Sequence, residues 1–160
     1  MIGIKIILDS IKEMISKGKE INGKKIIGHV GLGLVVLGVT YSELLEEVKI
    51  VNMKMGESVK IGEEIEISLC DYEILVGKNA DNFVLKYVIE DRYIYYPEKR
   101  IYNTGIEITR SKVGNNISGD VYVTYLGGNF QDGFLTRINV KPGIGCLWLG
   151  VFFFFLFFLI

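Results

Sequence analysis

Two apolar runs frame a segment in which hydrophobic and polar residues alternate over short stretches. The first run, Ile26 to Tyr41, is punctuated by Gly28, Gly31, Gly33 and Gly38, and the second, Ile144 to Ile160, is aromatic-rich and uncharged. Each comes close to the about 17 residues that a spanning helix needs, so the pattern predicts transmembrane helices over residues 25–44 and 142–160. Trp148 stands near the start of the second run, where an interfacial aromatic anchor belongs. The first run is the less regular, being richer in glycine and followed closely by Glu43.

The segment between them reads as β structure. Val48 to Met55, Ser58 to Ile61, Glu64 to Leu69, Phe83 to Ile89, Tyr93 to Tyr96, Ile106 to Thr109, Asp120 to Leu126 and Phe134 to Val140 are short runs of β-branched and aromatic residues separated by Gly- and Asn-rich turns. Such spacing predicts a small antiparallel β barrel or sandwich-like domain. Cys70 falls at the end of one of these strands. Pro97-Glu98-Lys99-Arg100, after Tyr95-Tyr96, has the form of an edge-strand ending that blunts association.

Ahead of the first span, Ile4, Ile7, Leu8, Ile11, Met14 and Ile15 recur at three- and four-residue spacing. This fits an amphipathic helix, lying on the inner membrane face or packed on other protein. Lys5, Lys12, Lys17, Lys19, Lys24 and Lys25 precede the span against Asp9, Glu13 and Glu20, whereas Ser42 to Lys141 is net acidic. The positive-inside rule then places the N-terminus in the cytoplasm or matrix and the β domain on the far side. The expected organisation is a membrane α + β chain. It runs as an amphipathic segment 1–24, a transmembrane helix 25–44, an external β domain 45–141 and a transmembrane helix 142–160.

Composition agrees with that division. The chain is 49% hydrophobic with a mean hydropathy of +0.33, yet 23% of its residues are charged, a mixture that an ordinary soluble domain does not show. A formal net charge of −1 argues against nucleic acid as a partner. One histidine and two distant cysteines provide no zinc-type spacing and no Ser-His-Asp arrangement. Gly31-Leu-Gly33 lies inside an apolar run with no preceding strand, which argues against a phosphate loop.

The single histidine, His29, stands near the start of the first span. Polar groups at membrane depth are costly and mark function, and imidazole is a common ligand of metals and of haem iron. A hydrogen bond to a neighbouring helix is the alternative role.

Gly28-His29-Val30-Gly31-Leu32, Gly38-Val39-Thr40, Gly56-Glu-Ser-Val-Lys-Ile-Gly62, Pro97 to Arg100 with Tyr102, Thr109 eleven positions before Asp120-Val-Tyr-Val123, Arg137, Lys141-Pro142 and Trp148-Leu-Gly150 occur in this order. Their order and spacing resemble the C-terminal part of the CcmF/NrfE family of cytochrome c-type biogenesis haem lyase subunits, from about residue 25 to 150 of this chain. The resemblance implies a multi-pass protein of the bacterial inner membrane or the mitochondrial inner membrane. Its implied function is haem handling and ligation to apocytochrome c. The implied partners are the haem chaperone, the remainder of the haem lyase and apocytochrome c, in contact with membrane lipid.

The family also holds a b-type haem between two transmembrane histidines, and His29 matches the second of these, which would make it an axial ligand to haem iron. Gly33, one turn further on the same face, would leave room for the macrocycle or for a close helix. Arg100 and Arg137 offer bidentate forks for a haem propionate or a partner carboxylate.

The departures matter too. The family's tryptophan-rich external loop and its two external histidines have no counterpart here, and Arg110 stands where a glutamate is expected. The resemblance therefore implies a C-terminal fragment, either a split subunit or the product of a broken gene. It leaves open whether this chain is itself an enzyme. A second ligand for haem b would have to come from another chain, a second copy or the missing portion. A membrane-anchored β scaffold without cofactor is the alternative function.

Overall fold

A run of 22 residues, Gly23–Leu44, forms helix α1, and Ile144–Leu159, 16 residues, forms helix α2. The computed structural model describes residues 23–62, 65–116 and 119–159, with positions 4, 5, 8, 9 and 12. The expected amphipathic helix falls largely on Ile7, Ile11, Met14 and Ile15, which lie outside the described residues. The chain divides into two compact units, one containing α1 and α2 and the other running from Glu47 to Val140.

In the helical unit, glycine allows the two backbones to meet. Gly28, Gly31, Gly38 and Ser42 are buried on α1, and Gly150 is buried on α2. A Cβ on Gly31 would come within 2.8 Å of the Phe154 backbone nitrogen, one on Gly38 within 2.5 Å of the Leu147 nitrogen, and one on Gly150 within 2.6 Å of the Val35 nitrogen. Three- and four-residue spacing places these positions on one stripe of each helix, so small residues let the helices approach closely. At about 1.5 Å per residue, α1 is long enough for the roughly 30 Å hydrocarbon core and α2 reaches about 24 Å. Among the described helices, Lys25–Leu44 is the stretch both long and apolar enough to cross a membrane, while Ile144–Leu159 is apolar but shorter.

The second unit is built of antiparallel strands. They are β1 (Glu47–Met53), β2 (Ser58–Ile61), β3 (Ile65–Val76), β4 (Ala80–Ile89), β5 (Tyr93–Tyr95), β6 (Glu98–Tyr102), β7 (Glu107–Arg110), β8 (Lys112–Asn116), β9 (Gly119–Asn129) and β10 (Gly133–Lys141). One sheet runs β1-β10-β9-β8 and the other β2-β3-β4-β6-β7, with β5 also on β4. Their inner faces share one core that includes Met53, Ile67, Leu69, Leu85, Tyr87, Val121, Val123, Phe134 and Ile138. Alternation puts every second side chain there.

Two local expectations are corrected. Cys70 does not end a strand: β3 continues to Val76, with a register shift between Leu69 and Asp71. Ile65, Ile67 and Leu69 are buried before the shift, and Tyr72 packs on the core after it. This bulge reverses the phase of the alternation, which is why a period of two stops at Leu69 in the sequence. Nor does Pro97 lead an edge ending. The residues after it form β6, which lies between β4 and β7, and the buried Pro97 accepts a bond from the Leu85 N–H through its carbonyl at 3.1 Å. The pairings Tyr87 with Tyr95 and Val84 with Glu98 keep one register across the proline, so β5 and β6 are one strand that lacks a single donor.

Candidate functional site

His29 lies in the second turn of α1 and is half-buried, and Gly33, one turn on, is buried. At about 3.6 residues per turn, both occupy the side of α1 roughly opposite the stripe of Gly31, Val35 and Gly38 that meets α2. The glycines at which the two helices approach closely are therefore Gly31 and Gly38 of α1 and Gly150 of α2. The seven-residue spacing of Gly31 and Gly38, with Ser42 four further on, is the signal the sequence carries.

His29 and Thr40, toward opposite ends of α1, differ in how their polar groups are satisfied. Thr40 turns its hydroxyl back to the Val36 carbonyl at 2.7 Å, the usual way a hydroxyl is accommodated in an apolar helix. Among the described residues the His29 imidazole has no hydrogen-bond partner. No group of three or more His, Cys, Asp or Glu side chains able to hold a metal occurs among the described residues either. What α1 offers is one imidazole with a glycine a turn away, which fits a single axial ligand to a haem iron.

The two arginines singled out in the sequence lie on the outer faces of different sheets. Arg100, on β6, is committed within the fold, with its guanidinium 3.2 Å from the Glu98 carboxylate. Glu98 also accepts from Asn82 Nδ2 at 2.9 Å and from Arg110 at 2.9 Å. These donors, Asn82 first, hold the Glu98 carboxyl below its ordinary range. Arg110, noted in the sequence only as a departure, thus has a structural job.

Arg137 is different. It is exposed on β10 directly opposite Ile50 of β1 and has no ion pair among the described residues. It borders a shallow concavity with Ser111, Tyr122, Thr124, Leu126 and Asn139. Both cysteines are free and exposed.

No family model matches the chain. It is 28% identical over 131 residues to the cytochrome c-type biogenesis protein CcmF of Escherichia coli (strain K12) and 25% identical over 135 residues to CcmF of Haemophilus influenzae. Both matches cover 78% of this chain, which spans about a fifth of the length of these curated relatives. A solved structure of the cytochrome c haem lyase CcmF matches the fold with a TM-score of 0.67 at 12% identity, covering 96% of this chain and 27% of that one. By sequence, then, the chain is similar to about a fifth of CcmF, and its fold is one found in the solved structure of that haem lyase.

Proposed function

We propose that the chain serves cytochrome c maturation as part of a membrane haem lyase assembly, with His29 as one axial ligand of a haem b held in the membrane. The observation that carries this reading is the position of the chain's one histidine. It sits on the helix long and apolar enough to span a bilayer, on the side turned away from α2 and without a hydrogen-bond partner among the described residues. Leaving an imidazole in such a place is costly unless it binds something. Bound haem b supplies one-electron chemistry. His29 would hold it through a ring nitrogen, and Gly33 would keep the neighbouring turn free of a side chain.

A second imidazole ligand would come from another polypeptide of the assembly, a second copy or sequence outside these 160 residues, which hold one histidine. In this reading α1 and α2 both cross the inner membrane of a bacterium or mitochondrion, with residues 1–24 on the cytoplasmic or matrix side and the β unit, 45–141, outside. The exposed apolar residues of α2, among them Trp148, Phe152, Phe155 and Phe158, support lipid contact. The partners are the remainder of the lyase, the haem chaperone and apocytochrome c. The test is the haem content of the assembled complex carrying His29→Ala.

One observation favours the cofactor-free scaffold as a second reading. The β unit closes its core with its own side chains, fifteen buried hydrophobic residues among those described, so it needs no cofactor in order to fold and present a surface.

A further inference from the structure

The outer face of the four-stranded sheet carries one charge over its central part. Alternation directs Val48 and Ile50 of β1, Leu135 of β10 and Leu126 of β9 to that side, while Thr136, Ile138, Val121 and Val123 face the core. Among the outward positions of β1, of β10 from Leu135 to Asn139 and of β9 from Tyr122 to Leu126, Arg137 alone is charged. Among the described residues its guanidinium therefore has no carboxylate to answer it, in contrast to Arg100 and Arg110, which both reach Glu98. Beside it, Ser111 and Thr124 pair their hydroxyls at 2.6 Å, and Val48, Ile50 and Leu135 are 48%, 57% and 41% exposed.

An exposed apolar frame around one unanswered guanidinium, flanked by hydroxyl groups, fits a ligand that is flat and apolar with a carboxylate at its edge. Three strands span roughly 10 Å at the usual spacing of about 4.8 Å, which is a broad enough platform for a ring. We propose that this face binds the propionate edge of a porphyrin, with Arg137 pairing the carboxylate and Ile50, Leu135 and Leu126 lying under the ring. The choice of a porphyrin among amphiphilic carboxylates rests on the haem reading above; the site itself does not use His29.

The test is a fluorescence titration of the full chain in nanodiscs with metal-free protoporphyrin IX, corrected for empty discs. The absence of iron removes axial ligation from the measurement. Saturable binding is expected, weakened about tenfold by Arg137→Leu, the loss expected for one charge-assisted contact, and partly restored in Arg137→Lys. The dimethyl ester should bind as weakly to the wild type as the free acid does to Arg137→Leu. Equal affinity for acid and ester, or no effect of Arg137→Leu in a chain with unchanged circular dichroism, overturns the proposal. Displacement by palmitate at concentrations matching the porphyrin's own affinity reassigns the face to a lipid carboxylate and also overturns it. Each of these outcomes leaves the His29 reading standing, because that reading is decided on iron-loaded protein.

Discussion

Tyr87 of β4 and Thr136 of β10 meet across the two sheets, with Tyr87 Oη 2.5 Å from Thr136 Oγ1. Both residues are fully buried, and a buried hydroxyl without a partner is costly. The pair therefore ties one sheet to the other at a fixed register inside an otherwise apolar core.

Burial pushes the Tyr87 phenol from 10.0 up to about 12. A folded-state value above the unfolded one means that its contribution is fully present below about pH 10 and is lost as pH rises toward 12. Tyr87→Phe should flatten alkaline unfolding of the β unit in that window. At neutral pH it should cost about 1 kcal/mol, because Thr136 keeps its 3.2 Å bond to the Phe134 carbonyl. Denaturant melts across pH measure both effects, and an unaltered alkaline limb in the variant contradicts the assignment.

The helix pair makes a steric prediction. Gly150→Ala should destabilise the helical unit by about 1–3 kcal/mol, because the added Cβ would meet the Val35 nitrogen at 2.6 Å and the Gly31 carbonyl oxygen at 2.8 Å. Gly145→Ala, with nothing within 4 Å of its Cβ, should be neutral or slightly stabilising on helix propensity. Trp148 fluorescence during denaturant titration in micelles reports on both variants. Equal stability of the two would mean that the backbones do not meet there.

Cys70, exposed on β3, is a natural reporter of sidedness. In a Cys146→Ser background, a membrane-impermeant maleimide should label it in intact right-side-out vesicles. Labelling that requires permeabilisation would place the β unit on the inner side and reverse the proposed orientation.

Much of the β unit was legible in the sequence because eight of its strands carry regular runs of β-branched and aromatic residues. What escaped was whatever broke that pattern. The bulge after Leu69 hid the second half of β3, and a proline with a cluster of charges disguised β6 as a terminus, although Arg100, Arg110 and Asn82 all converge on Glu98. β8, Lys112–Asn116, holds a single large apolar residue, Val113, and gives almost no signal by itself. In the helices, apolar character was plain, but which glycines face α2 depends on a partner over a hundred residues away. For the candidate site, His29 could be singled out on chemistry alone. The difference between a committed Arg100 and an unanswered Arg137 became visible only with the strand register.

The most direct test of the account is the reduced-minus-oxidised spectrum of the complete membrane complex containing either this chain or its His29→Ala variant, with abundance and protease resistance followed in parallel. Replacing a half-buried imidazole by Ala should cost at most about 3 kcal/mol of packing, whereas losing an axial ligand changes the iron coordination outright. The expected result is a complex that assembles at near-normal levels and lacks the b-type signal. An unchanged b-type spectrum in a well-folded His29→Ala complex would assign the ligand elsewhere and leave His29 a helix-packing residue.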